Sequence, residues 1–116
     1  MGQENAESTG TRQLSGVGGQ MDFLEGAYRS KGGKGFICIN SSRVTKDGER
    51  KSNILATIPG GSTISAPRTM IQYVATEYGI ASLSGKTLRE RAEAMASIAH
   101  PDFREELMKY AQENFK

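Results

Sequence analysis

The sequence predicts an α/β fold: a small mixed sheet with helices packed on it and a helical C-terminal tail. Three observations carry this. Short β-branched and apolar runs, bounded by glycine, proline and Asp-Gly turns, fill residues 35–83. After Gly85, two segments repeat apolar residues at helical spacing, each behind a start signal. Upstream, the glycine-rich stretch Ser15-Gly16-Val17-Gly18-Gly19-Gln20 runs straight into an amphipathic segment.

The elements follow in order. Residues 1–12 are polar and without periodicity, and read as a loop or as the start of an element cut short. Gln13–Val17 is expected to be a short strand entering the glycine loop. Met21–Arg29 puts Phe23, Leu24, Ala27 and Tyr28 on one stripe and predicts a short helix. Asp22, with Glu25 three residues on, suits its N-terminus, where a short acidic side chain takes up orphan N–H groups. Ser30–Lys34 breaks the helix. Gly35–Asn40 is a nearly continuous apolar run and reads as a buried strand. Asp47-Gly48 between two strand-like runs is a hairpin signal, with Ser52–Ile58 as the second strand and Pro59-Gly60-Gly61 as its end. Ser62–Ala66 is a further short strand, stopped by Pro67.

Ile71–Thr76 fits either period, and its β-branched and aromatic content favours a strand. Thr76-Glu77-Tyr78-Gly79 is then a turn and Ile80–Leu83 a short run beyond it. Thr87-Leu88-Arg89-Glu90 is a capping box, and Leu88, Ala92, Met95, Ala96 and Ala99 follow at helical spacing. Pro101-Asp102 opens a second helix whose stripe is Phe103, Leu107, Tyr110 and Ala111.

Bulk properties exclude several function classes. A chain of 116 residues is one domain at most, or part of one. No apolar run approaches the ~20 residues that cross a bilayer, and the polar N-terminus is unlike a signal or transit peptide. The expectation is a cytoplasmic protein with no membrane partner. Cys38 is the only cysteine, which excludes an internal disulfide and fits a reducing compartment. Together with the single His100 it is too little for a zinc site, so no metal is expected. The net charge of +2 sits on residues 43–51, where Arg43, Lys46, Arg50 and Lys51 oppose Asp47 and Glu49. That is not the broad basic face, interleaved with aromatics, of a nucleic-acid binder.

Four groups could carry chemistry. A glycine loop at a helix start can receive a negative or polarised oxygen, though many such loops are only tight connections. His100 precedes a proline at a helix start, which favours an N-cap over catalysis, and Cys38 in an apolar strand reads as a small buried hydrophobe. Glu77 sits between a strand and Tyr78-Gly79. It could do acid/base or covalent work with its pKa raised by burial, or it could fix the turn by hydrogen bonds. Lys31, Lys34 and Lys46 lie beside glycines and could meet a phosphate as point charges, or serve solubility.

Four separated blocks resemble one family. They are Gly2-Gln3, Asn5-Ala6-Glu7-Ser8 and Ser15–Gln20 with Asp22-Phe23; Ser30-Lys31-Gly32-Gly33-Lys34; Tyr73-Val74 with Thr76–Ala81; and Gly85-Lys86 with Leu88–Ala94 and Ile98–Arg104. In order and approximate spacing they resemble the C-terminal part of the acetyl-CoA hydrolase/transferase family, and within it the 4-hydroxybutyrate CoA-transferases. The resemblance implies that CoA passes between an acyl-CoA and a short-chain carboxylic acid of the 4-hydroxybutyrate, acetate or butyrate type. It implies a catalytic glutamate that forms an acyl-glutamyl anhydride and then a glutamyl-CoA thioester.

In the family that glutamate lies in a Thr-Glu-Met-Phe-like motif upstream of the glycine loop. No such motif occurs here, and Glu4 and Glu7 match positions that are not the nucleophile. The implied reading of residues 1–116 is therefore a C-terminal portion of the family's C-terminal domain, a fragment of a CoA-transferase fold that is inactive alone. Its partners would be acyl-CoA, a short-chain carboxylate and the N-terminal part of the same enzyme, in a homo-oligomer. By the same resemblance Gly19 matches an oxyanion-hole glycine, Gly18, Gly19 and Lys46 contact coenzyme A, and Glu77 belongs to a supporting hydrogen-bond network. Acyl-CoA hydrolysis, or binding of CoA or another nucleotide without chemistry, are the alternatives. A fragment of this kind is expected to expose an apolar patch and to self-associate or be poorly stable.

Overall fold

The computed structural model describes residues 1–116. Strands β1 (Ser8–Thr9) and β2 (Arg12–Gln13) form a small antiparallel ribbon, followed by helix α1 (Gln20–Arg29). Strand β3 (Phe36–Cys38) leads to a hairpin of β4 (Ser42–Val44) and β5 (Arg50–Ser52). A long irregular stretch then reaches β6 (Tyr73–Thr76) and β7 (Gly79–Ser82), and the chain ends with α2 (Leu88–Ser97) and α3 (Pro101–Asn114). The main sheet is mixed, in the order β3-β6-β7, with β3 parallel to β6 and β6 antiparallel to β7.

The register of this sheet decides what is buried. Ile37, Val74 and Ala81 stand opposite one another and form a buried row. They join Leu24 of α1, Ile71, Leu83 and Ile98 in the core, while α2 packs on β7 and α3. The neighbouring rows face outward, where the ring of Phe36 stacks on Tyr73 at 4.9 Å between centroids. Phe36 and Ile80 stay 43% and 62% exposed, so one face of the sheet has no cover.

That single-sided cover corrects several expectations. The Gly35–Asn40 run is not buried throughout: β3 alternates, only Ile37 of its three residues is buried, and Cys38 is exposed rather than a core hydrophobe. On α1 the stripe does not become an interface, since Phe23 is 81% exposed and Leu24 is the helix's one buried residue. Leu88 is likewise exposed, whereas Arg91 on the same helix is buried. Phe23, Tyr28, Phe36 and Ile80 are the large apolar side chains left exposed on α1 and on this sheet.

Local hydrogen bonds shorten three expected strands. The run Gln13–Val17 stops at Gln13, because the amides of Leu14 and Ser15 both donate to the Glu7 carbonyl, at 2.7 and 3.2 Å. The second hairpin strand is Arg50–Ser52 and not Ser52–Ile58. There the Ser52 hydroxyl donates to the Ile54 carbonyl at 2.6 Å and turns the chain out of the ladder. Ser62–Ala66 makes one bridge, Ala66 to Glu4, and no strand. Conversely, the presumed loop at residues 1–12 contains β1 and part of β2.

Arg91 closes the N-terminal end of the molecule. Its Nε donates to the Met1 carbonyl at 2.9 Å, Nη1 to Leu83 at 2.8 Å and Nη2 to Arg68 at 2.7 Å. The cation is thus satisfied by three carbonyls with no carboxylate, and burial together with nearby Arg68 pulls its pKa down. Gly2 lets the chain pass over it. Its φ is +96°, and a Cβ there would stand 2.6 Å from Leu83 Cδ1. Removing the guanidinium leaves three carbonyls without this donor. Arg91→Ala should therefore lower unfolding free energy by about 3 kcal/mol or more in urea titration, and a loss below about 1 kcal/mol would contradict this role.

Candidate functional site

The glycine loop is placed as expected but capped differently. Helix α1 starts at Gln20 with Gly19 as its N-cap and no side-chain cap. Asp22 lies inside the first turn and is not the cap, a correction to the expected start. The first intrahelical bond runs from the Phe23 amide to the Gly19 carbonyl at 3.2 Å, and the amides of Gly19, Gln20, Met21 and Asp22 donate to no protein acceptor. Gly19 and Asp22 are exposed, Gln20 and Met21 half-buried, and amides left unpaired at the positive end of a helix can receive an incoming oxygen. The loop is held from behind, where Gln20 Nε2 donates to Glu4 Oε2 at 2.7 Å and the Glu4 backbone pairs with Ala66.

The two central glycines differ in what the fold asks of them. Gly18 has φ +60°, a left-handed conformation that favours glycine. Gly19 has φ −91°, and a Cβ there would meet only the Phe23 ring, at 3.8 Å, an ordinary contact. Nothing within the chain therefore requires glycine at position 19.

Glu77 opens the turn after β6, on the surface, and its two oxygens are both taken by one residue. The Ser41 hydroxyl donates to Oε1 at 2.6 Å and the Ser41 amide to Oε2 at 2.9 Å. Ser41 itself is fully buried. These two bonds, first the hydroxyl and then the amide, hold the Glu77 carboxyl below its ordinary value; desolvation opposes them and nearby His100 adds a smaller pull in the same direction. Of the two readings open for Glu77, the pKa raised by burial is not found: donated hydrogen bonds to an exposed carboxylate outweigh desolvation. Around it, the Thr76 hydroxyl donates to the Ile98 carbonyl at 2.7 Å, and the Tyr78 ring meets His100 edge-on at 5.7 Å with the Arg104 guanidinium 5.0 Å from its centre. His100 caps α3, accepting from the Asp102 amide at 3.3 Å, as its place before Pro101 suggested.

Lys46 lies exposed near the tip of the β4–β5 hairpin and forms no salt bridge, unlike Lys51, which meets Glu49 at 3.4 Å. Lys31 and Lys34 are also exposed, in the turn after α1. The structure links Glu77 through Ser41 to the base of the hairpin that carries Lys46. No hydrogen bond or ion pair joins the glycine loop to either. A cleft of about 870 Å³ lies elsewhere, between the N-terminal segment, residues 53–64 and the inner face of the sheet, with Arg43 and Asn53 among its lining. No group of three or more His, Cys, Asp or Glu side chains is arranged to hold a metal ion. Ser41 and Arg91 were missed by sequence reasoning. A serine after an apolar strand and an arginine in an amphipathic helix carry no local signal of their role.

Comparison with known proteins places the chain. Residues 1–111 match the family described as acetyl-CoA hydrolase/transferase C-terminal domain. The chain is 49% identical over 111 residues to the butyryl-CoA:acetate CoA-transferase of Anaerostipes caccae, covering 96% of this chain and 25% of that protein. It is 49% identical over 115 residues to the 4-hydroxybutyrate coenzyme A transferase of Clostridium kluyveri, covering 99% of this chain and 26% of that one. The crystal structure of RipA from Yersinia pestis superposes with a TM-score of 0.74 at 37% identity, over 94% of this chain and 24% of that one. The chain thus spans about a quarter of the length of the curated relatives it matches.

The depressed Glu77 carboxyl makes a pH-dependent contribution of defined sign. Its folded pKa lies below the unfolded value of 4.5, so the stability it adds is present above that value and is lost as pH falls through the folded one. Carbon-13 NMR titration of the Glu77 carboxyl should find it below 4.5, and Ser41→Ala should move it back up. An unchanged titration in Ser41→Ala would show that the hydroxyl does not set it.

Proposed function

The chain belongs to the acetyl-CoA hydrolase/transferase C-terminal domain family, and on that footing we propose that it forms one wall of a CoA-transferase active site. The reaction moves CoA between an acyl-CoA and a short-chain carboxylate of the acetate, butyrate or 4-hydroxybutyrate type. The nucleophilic glutamate comes from a part of the enzyme outside residues 1–116. As that carboxylate attacks the thioester carbonyl, the oxygen becomes negative. The Gly19 amide donates to this oxyanion, and a donor fixed before the charge develops stabilises it by several kcal/mol. Gly18 and Gly19 let the pantetheine and thioester approach the main chain, and Lys46 meets a CoA phosphate as a point charge. Glu77 supports the site as an ionised carboxylate and does not attack the substrate.

The observation that carries this reading is Gly19 itself. Four unpaired amides follow one another at the helix start, beside a glycine the fold does not require. A side chain at position 19 would obstruct only something arriving from outside, which is what a backbone-contacting thioester does.

Titration of CoA into the nitrogen-15-labelled 116-residue chain is the test. The reading expects saturable shifts at Gly18, Gly19 and Lys46. Gly19→Val should weaken binding at least tenfold while its melting temperature stays near wild type. Absence of shifts at all three residues at millimolar CoA would overturn the assignment of these contacts. The chain alone should form no glutamyl-CoA adduct detectable by mass spectrometry, and turnover by it would contradict the placement of the nucleophile elsewhere.

A further inference from the structure

The β4–β5 hairpin has no strand neighbour: its two strands pair only with each other. An isolated two-stranded ribbon is marginal in water, so its direction must be set where it joins the rest. Both legs converge on Ser41. The residue lies immediately before β4, and its carbonyl accepts from the Asn53 amide, immediately after β5, at 2.8 Å. The Asn53 side chain closes the base, with Nδ2 donating to the Asn40 carbonyl at 2.9 Å and Oδ1 accepting from Arg43 at 2.6 Å. Ser41 then grips Glu77 with its hydroxyl and its amide. One carboxylate held at both oxygens by one residue fixes distance and plane together.

We propose that Ser41 and Glu77 are positioning residues that aim the hairpin, and with it Lys46, from the end of the main sheet. The inference rests on the CoA reading only for what Lys46 meets; the positioning itself does not depend on it. Leverage explains why a remote serine matters. At ~3.3 Å per residue the tip stands about 15 Å from Ser41, so a swing of ~10° at the base displaces Lys46 by roughly 2–3 Å. A displacement of this size is enough to break a charge contact that must be held in place.

Residual dipolar couplings on the labelled 116-residue chain test this. In Ser41→Ala, the couplings of residues 42–52 should fall to less than half their wild-type values while those of residues 73–82 hold. Glu77→Ala should do the same from the exposed side, without altering a buried position, and decides the matter where Ser41→Ala does not fold. Glu77→Gln keeps one acceptor oxygen and should restore part of the order, which a simple loss of packing would not. Unchanged hairpin couplings in a folded Glu77→Ala would overturn the proposal. CoA titration of the same samples separates the two readings. Shifts at Lys46 should shrink at least threefold in Ser41→Ala while those at Gly19 remain. Coupling changes in the variants, with no CoA bound by the wild-type protein, would retain the positioning and remove the CoA contacts.

Discussion

The contact that ties Glu77 to the base of the hairpin carrying Lys46 is the two-point grip of buried Ser41 on its exposed carboxylate. It joins the turn after β6 to the segment that leaves β3, and these are the carboxyl ends of the two parallel strands. In open α/β sheets this end is where ligands are received. One hydroxyl and one amide do two things at once. They satisfy a serine that has no water to turn to, and they keep the glutamate ionised in a place where the sheet, the hairpin and the α2–α3 junction meet. A carboxylate held in this way is suited to fixing other groups, and less suited to exchanging protons near neutral pH.

The remainder of the fold is economical in core and generous in tethers. Twelve apolar residues are buried, several of them alanines, so side-chain hydrogen bonds across long sequence separations carry much of the connectivity. Arg91 reaches Met1, Arg68 and Leu83; Ser65 receives the Ala6 amide at 2.9 Å; Gln72 receives the Gly35 amide at 2.7 Å. The outer face of the β3-β6-β7 sheet remains uncovered, although parallel pairing is usually found with both faces buried. Relatives four times as long have ample chain to supply a cover.

What could be read from the sequence was what is decided locally. The capping box at Thr87–Glu90 forms as written, with the Thr87 hydroxyl accepting from the Glu90 amide at 3.3 Å and Glu90 accepting from the Thr87 amide at 2.8 Å. Pro101, the Asp47-Gly48 turn and the β6–β7 hairpin are equally local and are found where the residues imply them. Burial was not legible in the same way. Phe23 and Phe36 look like core residues in any window, yet whether they are covered depends on what packs from outside that window. The site divides along the same line. The glycines, Lys46 and Glu77 stand out by type or by resemblance. Ser41 becomes visible only when the fold brings it to a residue 36 positions away.

A double-mutant cycle between Ser41 and Glu77, read as unfolding free energy at neutral pH, tests the central claim most directly. If the two side chains act through each other, Ser41→Ala and Glu77→Ala together should destabilise clearly less than the sum of the two single changes. Strict additivity, with both single variants measurably destabilised, would mean that each acts on its own surroundings and that the clasp does not tie Glu77 to the base of the hairpin.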